Sequence, residues 1–397
     1  MHSLFSRNFI TFLTGATILS IPMPMLIILG GLAGSQLAPD ASFATFPVSI
    51  QILAGLFVVA PMSIFMGRHG RKIGFLLAAI SAICGGVLAA LSLIEGSFLM
   101  LCAAHALLGI AVVSFGLFRF AAAEFVHSKD QAKAISITLG IGLIAALLAP
   151  EVFRLFKDAL APIPLAGAYL ALSGIAIIGT LPIQMATFSH PVQQPAEQTA
   201  PAVRPSVFRR PKILAAILCS LGSSAGMTLL MTPTAIAMVG CGFLDIQAGD
   251  VIRWHVVAMF APSFFTGSLI SRFGVDRIVF LGGIIFAASA MVALMGLGLT
   301  YFYVSLILLG IGWNFGFIGA SAMLNAELSA TEKPLFQGLN DTVVALGATV
   351  ASFSSGVLIS SFGWAVVAIV LFPFALILVL GALYFGRQYK SQLAPAT

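Results

Sequence analysis

The chain has 397 residues, of which 60% are hydrophobic and only 8% are charged. With a mean hydropathy of +1.09, it lacks the polar shell that a soluble core of this length needs, so lipid must solvate most of its surface. The net charge of +6 does not require a nucleic-acid partner, because basic residues in a membrane protein report its topology. The 4 cysteines have no zinc-finger spacing and imply no disulfide framework.

Apolar stretches long enough to cross a bilayer recur along the whole chain. A spanning helix needs about 20 mostly apolar residues, which allows about twelve spans with short loops. The first apolar run is too long for a signal-peptide core, so we predict an uncleaved first span. The predicted spans are 8–31, 43–66, 73–94, 98–122, 133–155, 163–186, 212–238, 249–271, 277–298, 301–325, 338–360 and 364–386.

A segment of different composition separates the sixth span from the seventh. It is rich in Pro, Gln and Ala, and its C-terminal end carries Arg209, Arg210 and Lys212. This composition is typical of a flexible linker. The sequence therefore predicts an N-terminal half of six helices at 1–189, a cytoplasmic linker at 190–211, and a C-terminal half of six helices at 212–397.

Basic residues are distributed unequally between the two sides of the predicted membrane. If the N-terminus lies inside, 16 of the 19 lysines and arginines fall on the cytoplasmic side, and only Arg154, Lys157 and Arg253 fall outside. Such a bias fixes the orientation of a multi-pass protein. We expect a protein of the bacterial inner membrane with both termini in the cytoplasm.

The two predicted halves repeat weakly in their loops. The loop after the second span carries Arg68 and Gly70, and the loop after the eighth carries Arg272 and Gly274, an Arg-x-Gly motif repeated at a shift of 204 residues. Two repeated halves with a site near the bilayer midplane are the architecture of alternating-access transporters. The sequence therefore favours a transporter of a small solute.

The loop from Gly67 to Lys72 resembles the signature between the second and third spans of the major facilitator superfamily. Counting spans and linker position, the resemblance covers nearly the whole chain. It implies an all-α membrane fold with twelve transmembrane helices in two six-helix halves. It also implies gating or conformational roles for these loop residues: Arg68, Gly70, Arg71, Lys72 and Arg272.

Two residues depart from the family pattern, and the role of a third, Asp341, stays open. Gly67 stands where members usually carry Asp, and His105 stands in the fourth span where an Arg is frequent. These departures argue against standard drug–proton exchange. Asp341 opens the eleventh span near the predicted inner face, where it either gates the protein, carries a proton or caps its helix.

Two neighbouring spans carry paired residues of the kind that bind soft metals. Met227 and Met231 lie four residues apart in the seventh span, as do His255 and Met259 in the eighth. Residues at this spacing share one helix face, and the rise per residue places the two pairs at similar depths. Thioether and imidazole groups suit Cu(I). The four residues therefore predict a copper site.

A packing interpretation competes with this one. Methionine fills apolar helices, the chain has 14 of them, and Met291 and Met295 show the same spacing in a ninth span that we expect to face lipid. His255 is harder to assign to packing, because an ionisable residue inside a span is costly and marks a functional site. The His255 pair therefore favours metal ligation.

Five further residues are candidates for a metal relay, each with a structural alternative. Cys219 lies on the face of Met227 and Met231 but is equally suited to helix packing. His105 is either a ligand, a proton site or a packing residue. Met23 and Met25 flank a proline in the first span, and at most one of them points inward. Cys241 lies fourteen residues before His255.

The paired motifs also resemble a narrower group, the CcoA-like bacterial copper importers. That resemblance implies copper uptake into the cytoplasm for assembly of a haem–copper oxidase, with copper as substrate. The wider family includes riboflavin importers, so an organic solute held by His255, Trp313 and Asn314 is the alternative. A non-transporting metal receptor is a second one.

No motif for catalysis or nucleotide binding accompanies these residues. We find no nucleotide-binding loop, catalytic triad or acid pair, so we expect neither an enzyme nor an ATP-driven pump, and no prosthetic group. No carboxylate falls in the middle of a predicted span, so proton coupling is not visible. The expected partners are a small-molecule or metal substrate and the lipid bilayer, without nucleic acid, and we expect a monomer.

Overall fold

All regular structure in the described part of the chain is helical, which confirms the predicted all-α class. A computed structural model describes residues 6–127, 130–188, 210–329 and 332–393. Two short 3-10 helices, Ala41–Phe43 and Ala123–Phe125, accompany the α-helices. The α-helices are α1 Arg7–Ser20, α2 Pro22–Leu37, α3 Phe46–His69, α4 Arg71–Ile94, α5 Phe98–Phe115, α6 Phe118–Ala122, α7 Gln131–Phe156, α8 Ala166–Met185, α9 Pro211–Met231, α10 Thr234–Gly240, α11 Asp245–Phe260, α12 Ser263–Phe273, α13 Val275–Leu294, α14 Leu299–Glu327 and α15 Lys333–Leu393.

Each predicted span falls mainly on residues that are helical in the structure. Within the described residues, nine helical segments are long and apolar enough to cross a membrane, and ten if the bent pair α11–α12 counts as one span. The last two predicted spans lie in α15, which is interrupted at Gly363 (φ 77°). The predicted fifth span is α7, which is not among those ten. The chain is a multi-pass membrane protein.

Proline breaks two of the spans. The first span breaks at Ile21, ahead of the proline between Met23 and Met25, so that Pro22 takes the first position of α2, where its missing N–H is not needed. The second break was not predicted: α11 and α12 meet at Ala261–Pro262 with a bend of 41°. Proline removes a helical hydrogen bond and clashes with the preceding turn.

The chain divides into two compact units. Unit 1 comprises Met1–Gln194 together with Leu244–Arg253, and unit 2 comprises Pro195–Phe243 together with Trp254–Thr397. Most of the predicted linker, 190–211, lies outside the described residues. The boundary inside α11 separates its first turns from the half that carries His255.

Aromatic rings fill much of the core of unit 1. Phe12 stacks on Phe125 with ring centroids 4.6 Å apart, and Phe118 packs against Phe75 at 4.3 Å. The core of unit 2 is mainly aliphatic, with Val279, Met323 and Leu378 fully buried. These clusters bury the inner faces of helices whose other faces are apolar and exposed, as expected where lipid covers them.

The two Arg-x-Gly loops have the same backbone. Gly70 ends α3 with φ 97° and ψ 146°, and Gly274 ends α12 with φ 92° and ψ 146°. Only glycine adopts such angles without strain. The matched angles at matched sequence positions support the predicted internal repeat.

Gly109 allows α5 to pack closely on α3. A Cβ at Gly109 would overlap the backbone carbonyl of Gln51, which no rotamer change relieves. We expect Gly109→Ala to lower the free energy of unfolding by about 1–3 kcal/mol, measured by thermal unfolding in detergent. The matched control is Gly174→Ala, where a Cβ meets nothing within 4 Å. Equal stability of the two variants would contradict this assignment.

Candidate functional site in the second unit

His255 is the polar side chain that defines the candidate site. It is fully buried in unit 2, and its Nδ1–H donates to the carbonyl of Leu306 at 2.7 Å. Because a carbonyl only accepts, Nδ1 carries the proton and Nε2 presents a lone pair. Nε2 has no hydrogen-bond partner among the described residues. The ring is therefore held in one orientation with a free acceptor.

Close packing of α14 on α11 holds the histidine in this position. A Cβ at Gly310 would lie 2.6 Å from the carbonyl oxygen of His255 and 3.0 Å from the amide of Met259. Only glycine at this point allows the two backbones to approach so closely. The approach brings the Leu306 carbonyl, one turn before Gly310, within reach of the imidazole.

Asn314 fixes the bend between α11 and α12. Its Nδ2 donates to the carbonyl of Met259 and to Ser263 Oγ, both at 2.6 Å, and its Oδ1 accepts from Thr266 Oγ1 at 2.6 Å. The amide thus bonds one backbone carbonyl at the bend and the side chains of two residues that follow Pro262, so it ties α14 to both sides of the bend. Asn314 was predicted to hold an organic solute, but its hydrogen bonds are already committed to the bend, so it positions the site.

An aromatic group lies beside the bend. Trp313 stacks on Phe317 with centroids 5.0 Å apart and an interplanar angle of 8°, and it meets Phe260 edge-on at 6.4 Å. The Nε1–H of Trp313 is buried and has no acceptor among the described residues. Unit 2 therefore offers a free acceptor on His255, a free donor on Trp313 and flat apolar surface.

The predicted copper ligands are all in unit 2. Met231 and Met259 are buried and Met227 is half-buried, with each pair one turn apart on its helix. In the described residues, no group of three or more His, Cys, Asp or Glu is arranged to hold a metal ion. The four-residue set of Met227, Met231, His255 and Met259 stays a prediction.

The candidates for a metal relay differ in burial and in their contacts. Cys219 is buried, its Sγ donates to the carbonyl of Ile377 at 3.9 Å, and a Cβ on Gly381 would overlap the sulfur, which fits helix packing. Cys241 is exposed in the turn after α10. Met25 is fully buried whereas Met23 is about half exposed, so the two face apart as expected.

His105 lies in unit 1 and has partners on both ring nitrogens. Its Nδ1–H donates to Gln51 Oε1 at 3.0 Å, and Nε2 accepts from the Tyr169 hydroxyl at 2.8 Å. Neither nitrogen is free for a metal ion in this arrangement. Gln51 and Tyr169 were not singled out in the sequence, although each is a polar residue inside an apolar span.

The residues to which gating roles were assigned are mostly at helix ends. Arg71 pairs with Glu124 at 2.8 Å, and Lys72 donates to the carbonyls of Gln184 and Ala186. Both ties stay within unit 1, where they fasten α4 to the ends of neighbouring helices. Arg68 is exposed.

In unit 2, Arg272 lies over the ring of Phe273 at 5.2 Å. Asp341 lies inside α15, which begins at Lys333. The capping alternative for Asp341 is therefore wrong, because the helix starts two turns earlier. Its gating and proton-carrying alternatives stay predictions.

Ion pairs join the start of α11 to the end of α7 in unit 1. Arg253 contacts Glu151 at 2.6 Å and Asp250 at 3.3 Å, and Lys157 contacts Asp245 at 2.8 Å. Burial opposes the charge of Lys157, but hydrogen bonds and charges from Asp245 and Asp158 outweigh it and raise the pKa of this amine. Arg253 and Lys157 were predicted to lie on the outer side together with Arg154, which pairs with Glu151.

Comparison with known proteins agrees with this architecture. Residues 245–396 match the model of the Major Facilitator Superfamily. The chain is 36% identical over 378 residues to the riboflavin transporter RfnT of Brucella anthropi, covering 94% of this chain and 95% of that protein. It is 24% identical over 387 residues to the uncharacterized MFS-type transporter YddS of Bacillus subtilis, covering 92% and 88%.

Solved structures share the fold. A crystal structure of a point mutant of the nucleoside transporter NupG superposes with a TM-score of 0.79 at 13% identity, covering 96% of this chain and 100% of that one. A crystal structure of a D-xylose-proton symporter gives 0.74 at 12% identity, covering 95% and 96%. The 36% identity to a transporter over 94% of this chain, with the match to the superfamily model, identifies a secondary transporter. The chain belongs to the Major Facilitator Superfamily.

Proposed function

We propose that this transporter imports a flavin, riboflavin or a compound with the same ring system, across the bacterial inner membrane. The observation that carries the proposal is the 36% identity to a riboflavin transporter over nearly the full length of both chains. The narrower resemblance to copper importers has no such support. The organic-solute alternative is therefore preferred to copper uptake as the main function.

The chemistry of unit 2 supports a flavin. The isoalloxazine ring is planar and largely apolar, and one edge carries an imide N–H between two carbonyl oxygens. The free Nε2 acceptor of His255 suits the imide N–H, and the free Nε1–H of Trp313 suits a carbonyl. Aromatic side chains such as Trp313 and Phe317 suit the flat faces of the ring.

Copper import is kept as a second candidate because of one observation. The same Nε2 lone pair of His255 is a ligand for soft metals, and Met259 follows it by one helical turn. Copper would then be the substrate, with Met227 and Met231 as further ligands. A single structural feature thus serves either function, and transport must be measured to separate them.

The test is uptake by cells and by vesicles containing the purified protein. We expect time-dependent accumulation of radiolabelled riboflavin that unlabelled riboflavin competes away, with no change in the copper content of cells grown under copper limitation. A gene-dependent rise in copper without riboflavin uptake would replace the flavin proposal by the copper one. Binding of copper without accumulation would indicate a receptor.

A further inference from the structure

The buried polar group in unit 1 joins four helices around one imidazole. His105 on α5 is hydrogen-bonded to Gln51 on α3 and Tyr169 on α8, and a Cβ at Gly30 on α2 would lie 2.8 Å from His105 Cε1. His105 and Tyr169 are fully buried and Gln51 is 8% exposed. The group belongs to a different unit from His255 and plays no part in the proposed flavin site.

The hydrogen bonds of this group accommodate one more proton. In the neutral ring Nδ1–H donates to Gln51 and Nε2 accepts from Tyr169. When a proton binds Nε2, the imidazolium has two N–H donors: Gln51 Oε1 still accepts one, and the Tyr169 hydroxyl accepts the other by rotating its own hydrogen away. The donor that then lacks an acceptor among the described residues is the neutral O–H of Tyr169, which costs less than an unpaired N–H of a cation. We propose that His105 is the proton-binding site of a proton-coupled importer, an inference that rests on the proposed function.

Other buried groups are less suited to this role. A second proton on His255 would leave an N–H without an acceptor among the described residues, which is costly in a buried site. Three carboxylates near span ends are held in ion pairs: Glu124 with Arg71, Glu151 with Arg253, and Glu327 with Lys212.

Among the groups in contact with His105, no other side chain is suited to take up the proton. The contacts around it present Gln51 from α3, Gly30 from α2 and Tyr169 from α8. None of these carries a charge, and only the phenol of Tyr169 is titratable. A proton that enters this group therefore rests on the imidazole.

A charge on His105 links proton binding to the transport cycle. A cation in a fully buried site is costly, so any state of the cycle that hydrates the site binds the proton more tightly. A ligand that prefers one of two states shifts the equilibrium toward that state. Protonation from the more acidic side therefore drives the cycle in one direction.

The test separates coupling from solute binding in vesicles containing the purified protein. With an acidic exterior, wild type should accumulate riboflavin until its inside-to-outside concentration ratio rises about tenfold for each pH unit of gradient, if one proton enters with each solute. A protonophore should abolish this accumulation. His105→Gln should lose the accumulation but keep riboflavin counterflow, which requires no net proton movement. Equal gradient-driven accumulation in the variant, or no response of wild type to the gradient, would overturn the proposal.

Two further measurements keep the proposal testable if His105→Gln does not fold or if riboflavin is not the solute. Gln51→Leu removes an acceptor whose hydrogen bond stabilises the imidazolium more than the neutral ring. The pH profile of riboflavin counterflow should therefore move to lower pH. An unchanged profile would contradict the assignment of His105 as the proton-binding site. Independently of any solute, nitrogen NMR of labelled histidine should show a ring that gains a second proton and is missing from His105→Gln. A ring that stays neutral while the protein remains folded overturns the proton site alone, whereas absent riboflavin counterflow in wild type overturns the flavin proposal alone.

Discussion

His255→Leu is expected to reduce riboflavin uptake about 5- to 150-fold, because a solute N–H left unpaired in a buried site costs about 1–3 kcal/mol. Leucine keeps apolar volume but has no acceptor in place of Nε2. Uptake of radiolabelled riboflavin into cells, normalised to the amount of protein in the membrane, measures the effect. Normal uptake by this variant would exclude His255 from the solute site.

Two controls separate a lost hydrogen bond from a damaged fold. Riboflavin methylated at the imide nitrogen lacks the donor, so wild type should discriminate against it and His255→Leu should not; additive effects of the two changes would show that they act independently. Met227→Leu with Met231→Leu conserves side-chain volume. It should leave riboflavin uptake unchanged, whereas under the copper hypothesis it abolishes copper accumulation.

Asn314→Leu is expected to lower the free energy of unfolding by about 1–3 kcal/mol, taking about 0.6–1.7 kcal/mol for each of two hydrogen bonds lost within the membrane. The substitution leaves the Met259 carbonyl and the Ser263 hydroxyl without their partner at the bend, whereas the Thr266 hydroxyl keeps the carbonyl of Pro262 at 2.8 Å. Riboflavin uptake should fall too, because the bend lies one turn from His255. Thermal unfolding in detergent measures the first effect.

The matched control for this variant lies two turns further along α14. Ser321 donates only to the carbonyl of Phe317 in its own helix, at 2.8 Å, so Ser321→Ala should have little effect on unfolding. If Asn314→Leu unfolds at the same temperature as Ser321→Ala, the amide does not hold the bend.

The helices could be predicted from the sequence because each is a local feature. Apolar runs longer than a bilayer crossing need no tertiary information, and the Arg-x-Gly repeat correctly marked Gly70 and Gly274 as equivalent turns. Asp341 was misjudged as a possible cap because charged and polar residues obscured the true start of α15 at Lys333. Helix ends depend on backbone geometry that a hydropathy pattern does not contain.

The candidate site was only partly predictable. His255 stood out because an imidazole inside an apolar span is costly, but the residue types around it fit a metal as well as a planar solute. Its fixed tautomer depends on a carbonyl 51 residues away in sequence, and Asn314 acts on a bend that no local pattern revealed. The partners of His105 were likewise missed, because Gln51 and Tyr169 meet it only through helix packing.

The position of Trp313 makes the proposed site observable without a label. The chain has only 3 tryptophans, and one of them lies at the aromatic face assigned to the solute. Isoalloxazine absorbs at the wavelengths where indole emits, so a flavin bound there quenches Trp313 by energy transfer. The intrinsic fluorescence of the protein therefore reports whether the site is occupied. A copper ion lacks this absorption band, so its binding would not quench Trp313 by this energy transfer.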